Sequence, residues 1–517
     1  MASPDSTQHR PWWEQSPGEI FRRAVAPHPL RLPSTGEIGH RTMALVRSIP
    51  VSLAILIAVG LVLRVAMEQV VHPVIMSPDT VTYVGMALFD LYGDPVRPSG
   101  YSMLLAALHF VSTNVDFTVW VQHLMGVATG LLLYAAVRRI GAPVWVGLIA
   151  AATVLLGIDQ VVHEQALLPE VLFNFLIAAV LYACVRALDE PRPFLDLIST
   201  RTAWILAAGA LLGLSVWVRA VAGPIIPFFA LWFVFALPGP WWRRIGHGAL
   251  TGGAAAAVVL AYFQLNYMAQ DYFGLVQGSG WGIYSRAAPF ADCDQFEPPA
   301  GTERLCQHIP PEKRPPPDIY GWSPKESPAH RVFGWPPAGN DQVAAFGWAA
   351  VRAQPGEYLE AVVSDVGRYF GFGVDSILFT STRIQWERGD TRNVMPWIND
   401  YYQDERYSVG GPIGEVEDLQ EVLRVHPWLL SVALVAALAG LVVGRGRPRS
   451  MIGVFLIVGL LLVIIPPVTA TYNFRYALPA NGPLIAAGAV GVWLVITRMT
   501  AWLRHRRAAA HSGPAVA

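Results

Sequence analysis

Apolar runs of about 20 residues recur along the chain, separated by polar stretches of very unequal length. They fall at 46–66, 116–136, 143–161, 168–187, 203–219, 222–238, 249–268, 427–444, 451–469 and 479–498. A helix of roughly 20 residues crosses the hydrocarbon layer, and backbone groups in lipid must be satisfied within the segment, so each run predicts a spanning helix. The pattern therefore predicts an all-α polytopic membrane protein with a bundle of about ten transmembrane helices. Most connections are short. Two are not: 67–115, and 269–426, which is domain-sized and rich in Pro, Trp and Tyr.

Composition agrees with the pattern. Of 517 residues, 53% are hydrophobic and only 14% charged, where a soluble chain carries about a quarter. The 37 basic and 37 acidic residues balance, which argues against a nucleic-acid partner. Arg138, Arg139, Arg186, Arg192, Arg201, Arg243, Arg244, Arg445, Arg447, Arg449, Arg504, Arg506 and Arg507 all fall on one side of the ten spans. The positive-inside rule makes that side the cytoplasm. The expectation is a multi-pass plasma-membrane protein with both termini cytoplasmic and the two long connections outside. The domain reading is a weakly ordered cytosolic arm (1–45), a transmembrane core (46–268) holding the first external loop (67–115), an extracytoplasmic domain (269–426), C-terminal spans (427–498) and a cytosolic tail (499–517). The arm has no apolar stretch near its start that would read as a cleaved signal peptide.

Cys293 and Cys306 lie a short loop apart in the external segment, while Cys184 sits inside a span. On the oxidising side such a pair suggests a disulfide. Metal binding is the lesser reading, because only His308 stands near to complete a zinc site. The sequence holds no internal repeat, Gly-rich phosphate loop or Ser/His/Asp signature. The external aromatics Trp281, Tyr284, Trp322, Trp335 and Trp348 are expected to serve packing ahead of sugar stacking.

Three arginines stand on the side that the positive-inside rule leaves poor in them. Arg64 ends the first span in "LVLRVAMEQ", Arg219 lies in "SVWVRAVAGPIIP", and Arg475, with Tyr476 beside it, lies in "TATYNFRYALPA". One such arginine would snorkel to headgroups; three together point to a bound anion, and a guanidinium fork suits phosphate. Acids share that side. Asp79, in "SPDTVTY", opens a short interfacial helix, where it can also cap free N–H groups. "DQVVHEQALLPEVLFNFL" supplies His163, Glu164 and Glu170, the last at the mouth of the fourth span. Carboxylates offer a base for a hydroxyl proton, and arginines stabilise a phosphate leaving group. That is the equipment for transfer from a lipid-linked sugar phosphate.

With "LVLRVAMEQ", "SPDTVTYVGMALFDLYGDPVRPSGY", "LLPEVLFNF", "LLGLSVWVRAVAGPIIP" and "YNFRYALPANGPL" in order, the chain resembles the GT-C superfamily of polyprenyl-phosphate-sugar-dependent membrane glycosyltransferases, which includes the protein O-mannosyltransferases. The resemblance runs from about 46 to 498. It implies a GT-C-like bundle, Asp79 as general base and Glu170 as the second acid, with Glu164 the alternative. It implies Arg219 and Arg475 on the donor phosphate, and Arg97 and Tyr101 in the cavity wall. It also implies inversion at the anomeric carbon and no metal or other cofactor. The expected partners are a polyprenyl-phosphate sugar, a glycan, protein or lipid acceptor, and the bilayer. Two other functions compete: a transporter or flippase for a lipid-linked sugar, which would place its charges near the bilayer midplane, and a receptor without catalysis, which would leave the ordered motifs unexplained.

Overall fold

The computed structural model describes residues 50–72, 74–75, 77–191, 193–195, 198–372, 401–402 and 422–511. The expected N-terminal arm, residues 373–400 and 403–421 of the expected external domain, and the last six residues of the tail lie outside the described residues. Apart from a short two-stranded ribbon, Pro193–Leu195 against Ile198–Ser199, the regular structure is helical.

The order begins with α1 (Val51–Val70), α2 (Pro78–Leu88), α3 (Gly100–Val111), α4 (Val115–Arg139), α5 (Val144–Leu155), α6 (Ile158–Glu164) and α7 (Glu170–Ala187). It continues with α8 (Thr200–Val218), a 3₁₀ turn (Ala220–Ile225), α9 (Ile226–Ala236) and α10 (Trp241–Gln270). Among the described residues, five shorter helices follow: α11 (Gly280–Ala287), α12 (Pro317–Trp322), α13 (Pro328–Phe333), α14 (Asn340–Ala353) and α15 (Pro355–Tyr369). The chain returns to long apolar helices with α16 (Pro427–Val443), α17 (Gly446–Thr469) and, after a 3₁₀ turn (Phe474–Ala477), α18 (Leu478–His511).

Among the described residues, seven helices are long and apolar enough to cross a membrane, or eight if one bent pair counts as a span. The runs at 222–238 and 427–444 instead form shorter apolar helices, so helix length alone does not establish ten spans. The run at 143–161 departs from expectation, because α5 and α6 meet at 48°. Gly157 lies at the break, where a Cβ would overlap the Thr153 carbonyl oxygen. The bend turns α6 inward, and Gln160, His163 and Glu164 are buried.

The helix α7 is the most buried of the long helices, packed against α4, α8 and α18. Its position follows from its sequence, apolar below Glu170 on nearly all sides apart from Asn174, which is the mark of a helix enclosed by neighbours. Its first residue therefore opens inside the bundle rather than at its perimeter.

The helices α11 to α15 build a separate core from Trp281, Tyr284, Phe290, Tyr320, Val343 and Phe346. Cys293 and Cys306 are joined in a disulfide that closes a loop beside this core. Closing so short a loop restricts the unfolded chain and is worth about 3 kcal/mol. We expect the double variant Cys293→Ser/Cys306→Ser to unfold this region at lower denaturant concentration, read by tryptophan fluorescence, with the long helices' circular dichroism unchanged. Two tyrosines tie the region to the bundle: Tyr358 donates to the Val468 carbonyl at 2.8 Å, and Tyr369 to that of Asn473 at 2.9 Å.

Candidate active site

Asp79 lies in the first turn of α2, but it is not the cap. Ser77 is, accepting from the Thr80 amide at 3.2 Å while the Thr80 hydroxyl accepts from the Ser77 amide at 3.1 Å. This capping box, with Pro78 in the first turn, satisfies the helix start and frees the Asp79 carboxylate. The expectation that Asp79 also caps the helix is thus corrected.

The freed carboxylate lies between two guanidinium groups. Arg97 Nη2 donates to Asp79 Oδ1 at 2.6 Å, and Arg475 Nη2 donates to Oδ2 at 3.0 Å. Burial pushes the Asp79 carboxyl up, but Arg475 and Arg97 outweigh that and hold it at about 2. Arg97 is aimed by Asp94, whose Oδ1 accepts from the amides of Val96 (2.8 Å) and Arg97 (2.6 Å). Its guanidinium lies over the Trp322 ring, 4.8 Å from the centroid.

The second acid is within reach of the same cations. Arg219 Nη1 donates to Glu170 Oε1 at 2.7 Å, and Arg475 Nη1 stands 3.9 Å from that oxygen. Arg475 therefore bridges Asp79 and Glu170. Glu170 is 1% exposed, and its Oε2 is buried with no hydrogen-bond partner. Such an atom is costly to leave unmade and is suited to accept from a ligand. Arg219 lies over the Tyr476 ring, 4.9 Å from its centroid. His163 donates through Nδ1 to the Asp159 carbonyl at 2.7 Å and meets Phe474, the residue before Arg475, edge to face.

Asp79, Glu170, Arg97, Arg219, Arg475 and Tyr476 thus come together. Tyr101 directs its hydroxyl elsewhere: it is fully buried, meets Tyr83 edge to face and donates to Gln122 Oε1 at 2.7 Å. Arg64 and Glu164 pair with each other instead, both fully buried, with Nη2 to Oε1 at 2.8 Å and Nε to Oε2 at 2.7 Å. Arg64 also donates to the carbonyls of Gly60 and Leu155. It lies six residues before the end of α1, about 9 Å at 1.5 Å per residue, so it is deeper than a snorkelling residue at the span's edge. The Arg64 guanidinium, expected from the sequence to meet an anion, is here turned to Glu164 and two backbone carbonyls.

Sequence reading missed what surrounds Glu164. His123 Nδ1 faces Glu164 Oε2 at 3.0 Å, and Gln160 donates to Oε1 at 3.1 Å. Gly126 lets α4 approach, since a Cβ there would overlap Oε1. Asn174, one turn after Glu170 on α7, donates to Gln160 at 2.7 Å. Gln122 donates to the carbonyls of Glu164 and Ala166, both at 2.9 Å, and so fixes the loop that leads to Glu170. The Arg64–Glu164 pair is therefore an anchor beneath the site. Glu68, His72 and Asp116 also escaped the sequence reading, because 44 residues separate the last two; their ligand-type atoms lie within 4.8 Å of one another.

No family model matches the chain, and no curated protein matches it. Solved structures do. The protein O-mannosyltransferase Pmt1-Pmt2 complex of S. cerevisiae bound to its sugar donor is 18% identical over 42% of this chain and 33% of that one, with a TM-score of 0.34. The Archaeoglobus fulgidus oligosaccharyltransferase in its apo form is 13% identical over 88% of this chain and 51% of that one, TM-score 0.44. ArnT from Cupriavidus metallidurans bound to undecaprenyl phosphate is 15% identical over 86% and 77%, TM-score 0.33. This chain spans about a third of the length of the yeast chain and about half of the archaeal one.

At the opposite end of α4 from this site, Asp189 gathers Arg139 at 2.7 Å, Arg447 at 3.3 Å and Arg186 at 3.4 Å. Three of the arginines that orient the chain by sequence thus share one carboxylate.

Proposed function

We propose that the chain is a glycosyltransferase that moves a monosaccharide from a polyprenyl-phosphate donor to an acceptor hydroxyl, at the outer side of the plasma membrane. The observation that carries this reading is Arg475, which bridges Asp79 and Glu170 in a partly buried group of two acids and three arginines. The side rests on the arginines gathered at the other end of the bundle. The donor phosphate takes Arg475 and Arg219, and Glu170 Oε2 accepts from a sugar or acceptor hydroxyl. The acceptor oxygen attacks the anomeric carbon from the side opposite the phosphate, and its proton passes to Asp79. The bond from the anomeric carbon to the phosphate oxygen breaks, leaving polyprenyl phosphate and an inverted linkage. Negative charge grows on the phosphate as that bond breaks, so guanidinium groups fixed there act most strongly in the transition state.

A carboxylate held at about 2 is a weak base. The donor itself relieves this. Phosphate competes for Arg475, and each cation drawn away from Asp79 raises its proton affinity. A depressed carboxyl remains ionised above its pKa and loses its charge below it. The acid limb of kcat/KM, which reports the free enzyme, is therefore expected at lower pH than the acid limb of kcat, which reports the complex. Coincident limbs would remove this account of how Asp79 is activated.

The reading itself is tested with purified protein in detergent and a panel of polyprenyl-phosphate monosaccharides, following release of polyprenyl phosphate. Turnover of one donor supports it. Binding of a donor without its cleavage, with or without acceptor present, would favour transport instead.

A further inference from the structure

The packing expectation divides the aromatics of the 269–426 segment into two sets. Trp281 and Tyr284 are buried, as packing requires. Trp322 and Trp335 are 42% and 51% exposed, with ring centroids 6.3 Å apart. Both are nonetheless held. Arg97 lies against Trp322, and His330 lies between Trp335 (4.8 Å) and Trp281 (4.6 Å). The two nitrogens of His330 face the Gly334 carbonyl at 3.1 Å and the Gly321 carbonyl at 2.9 Å, and the nitrogen that carries the proton donates to its carbonyl and holds the ring that supports Trp335. The region is also pinned to the loop carrying Arg97, through the Gly278 amide and the Pro95 carbonyl at 2.8 Å. Packing alone does not account for two adjacent tryptophans that are rigidly supported yet half exposed.

Their position decides what they serve. A single guanidinium, that of Arg97, separates the Trp322 ring from the Asp79 carboxylate. Resting on the transferase reading above, we propose that Trp322 and Trp335 form the acceptor subsite and that the acceptor is a saccharide. A pyranose or furanose ring has an apolar C–H face that an indole can cover and a rim of hydroxyls. The hydroxyls find Arg97, Asp94 and Asp79 beside the indoles, which is the mixture of aromatic surface and a few placed polar groups that small-molecule sites use. A ring stacked on the indole pair places its hydroxyls beside Arg97, whose guanidinium is hydrogen-bonded to Asp79. An extended peptide would instead seek a strand edge to pair with, and among the described residues the two-stranded ribbon at 193–199 belongs to the α7–α8 connection. With a saccharide bound, Trp335 would hold the sugar unit beyond the one that reacts.

The test uses the full-length protein in detergent with linear oligosaccharides of mannose, of glucose and of arabinose, and with a short Ser/Thr-containing peptide. Binding is read by saturation-transfer NMR, and donor consumption by polyprenyl phosphate release. The expected result is that one saccharide series binds and is extended. Trp322→Ala and Trp335→Ala each weaken that binding about tenfold. Trp348→Ala, an exposed tryptophan outside this pair (47%), serves as control and is expected to bind as wild type. Circular dichroism checks that each variant is folded. The proposal is overturned if the peptide binds and is glycosylated while no saccharide is, or if Trp322→Ala and Trp335→Ala bind saccharide as well as Trp348→Ala does. In either case continued donor cleavage keeps the transferase reading. Conversely, saccharide binding lost in both tryptophan variants, from a protein that consumes no donor, keeps the saccharide site and removes the transferase reading.

Discussion

Asp79→Asn is expected to lower sugar transfer by roughly 10²- to 10⁴-fold, the range that loss of a positioned proton acceptor commonly produces. The helix should survive, because Ser77 and Thr80 cap α2 without help from Asp79. The asparagine keeps the shape of the side chain, and its amide oxygen still accepts from Arg97 or Arg475. It cannot take up the acceptor proton. Removing the negative charge also releases Arg475, which donates to Asp79 Oδ2 in the resting protein. Donor affinity should then hold or improve while turnover falls, a division that simple unfolding cannot produce. Three measurements on one preparation check this: turnover, donor affinity and thermal midpoint. Full turnover in the folded variant would remove Asp79 from the chemistry.

The largest effect on stability is expected from Arg64→Met. It leaves Glu164, fully buried, facing His123 without its guanidinium partner. Removing one member of a buried ion pair costs about 3–5 kcal/mol, because the other charge stays out of water uncompensated. Glu164→Met should cost a similar amount by stranding Arg64. The double variant should recover most of the loss, since buried pairs replaced together by apolar groups of like volume are often close to neutral. A double-mutant cycle of denaturation in detergent measures the coupling directly. Additive losses would mean that the two side chains act independently, against the close ion pair seen here. The single variants should also slow transfer, because Gln160 and Asn174 connect Glu164 to the helix that begins at Glu170.

Much of this architecture is legible in the sequence, for identifiable reasons. Apolar run length reports what a helix can cross, so the spans at 46–66, 168–187 and 451–469 reappear as α1, α7 and α17. Composition reports chemistry at helix ends, which is how Asp79, Glu170, Arg219 and Arg475 stood out. Partners are less legible. Asp79 and Arg475 are 396 residues apart, and Arg64 and Glu164 are 100 apart. No local pattern states that the first pair closes a site while the second closes an anchor. Arg64 looked like an edge residue because span boundaries from hydropathy drift by several residues. The break at Gly157 is hidden in the sequence because apolar character continues through it, and only the bent backbone, in which a Cβ would overlap the Thr153 carbonyl oxygen, shows why glycine stands there. The Ser77 cap was readable in "SPDT" as Ser with Thr three residues on, but the adjacent aspartate drew the assignment.

The distance along the chain between Arg64 and Glu164 has a consequence for biosynthesis. The helix α1 is made first, and its partner carboxylate follows 100 residues later. At about 5–20 residues per second, the ribosome takes roughly 5 to 20 s to deliver it. Through that interval α1 carries a cation that translocon scales penalise by about 2.5–3.5 kcal/mol near the middle of a helix. The rest of α1 is apolar enough to hold it in the bilayer meanwhile. Assembly of this protein therefore includes a waiting state, in which the first helix is inserted but its arginine is still unpaired, and the arrival of α6 ends it.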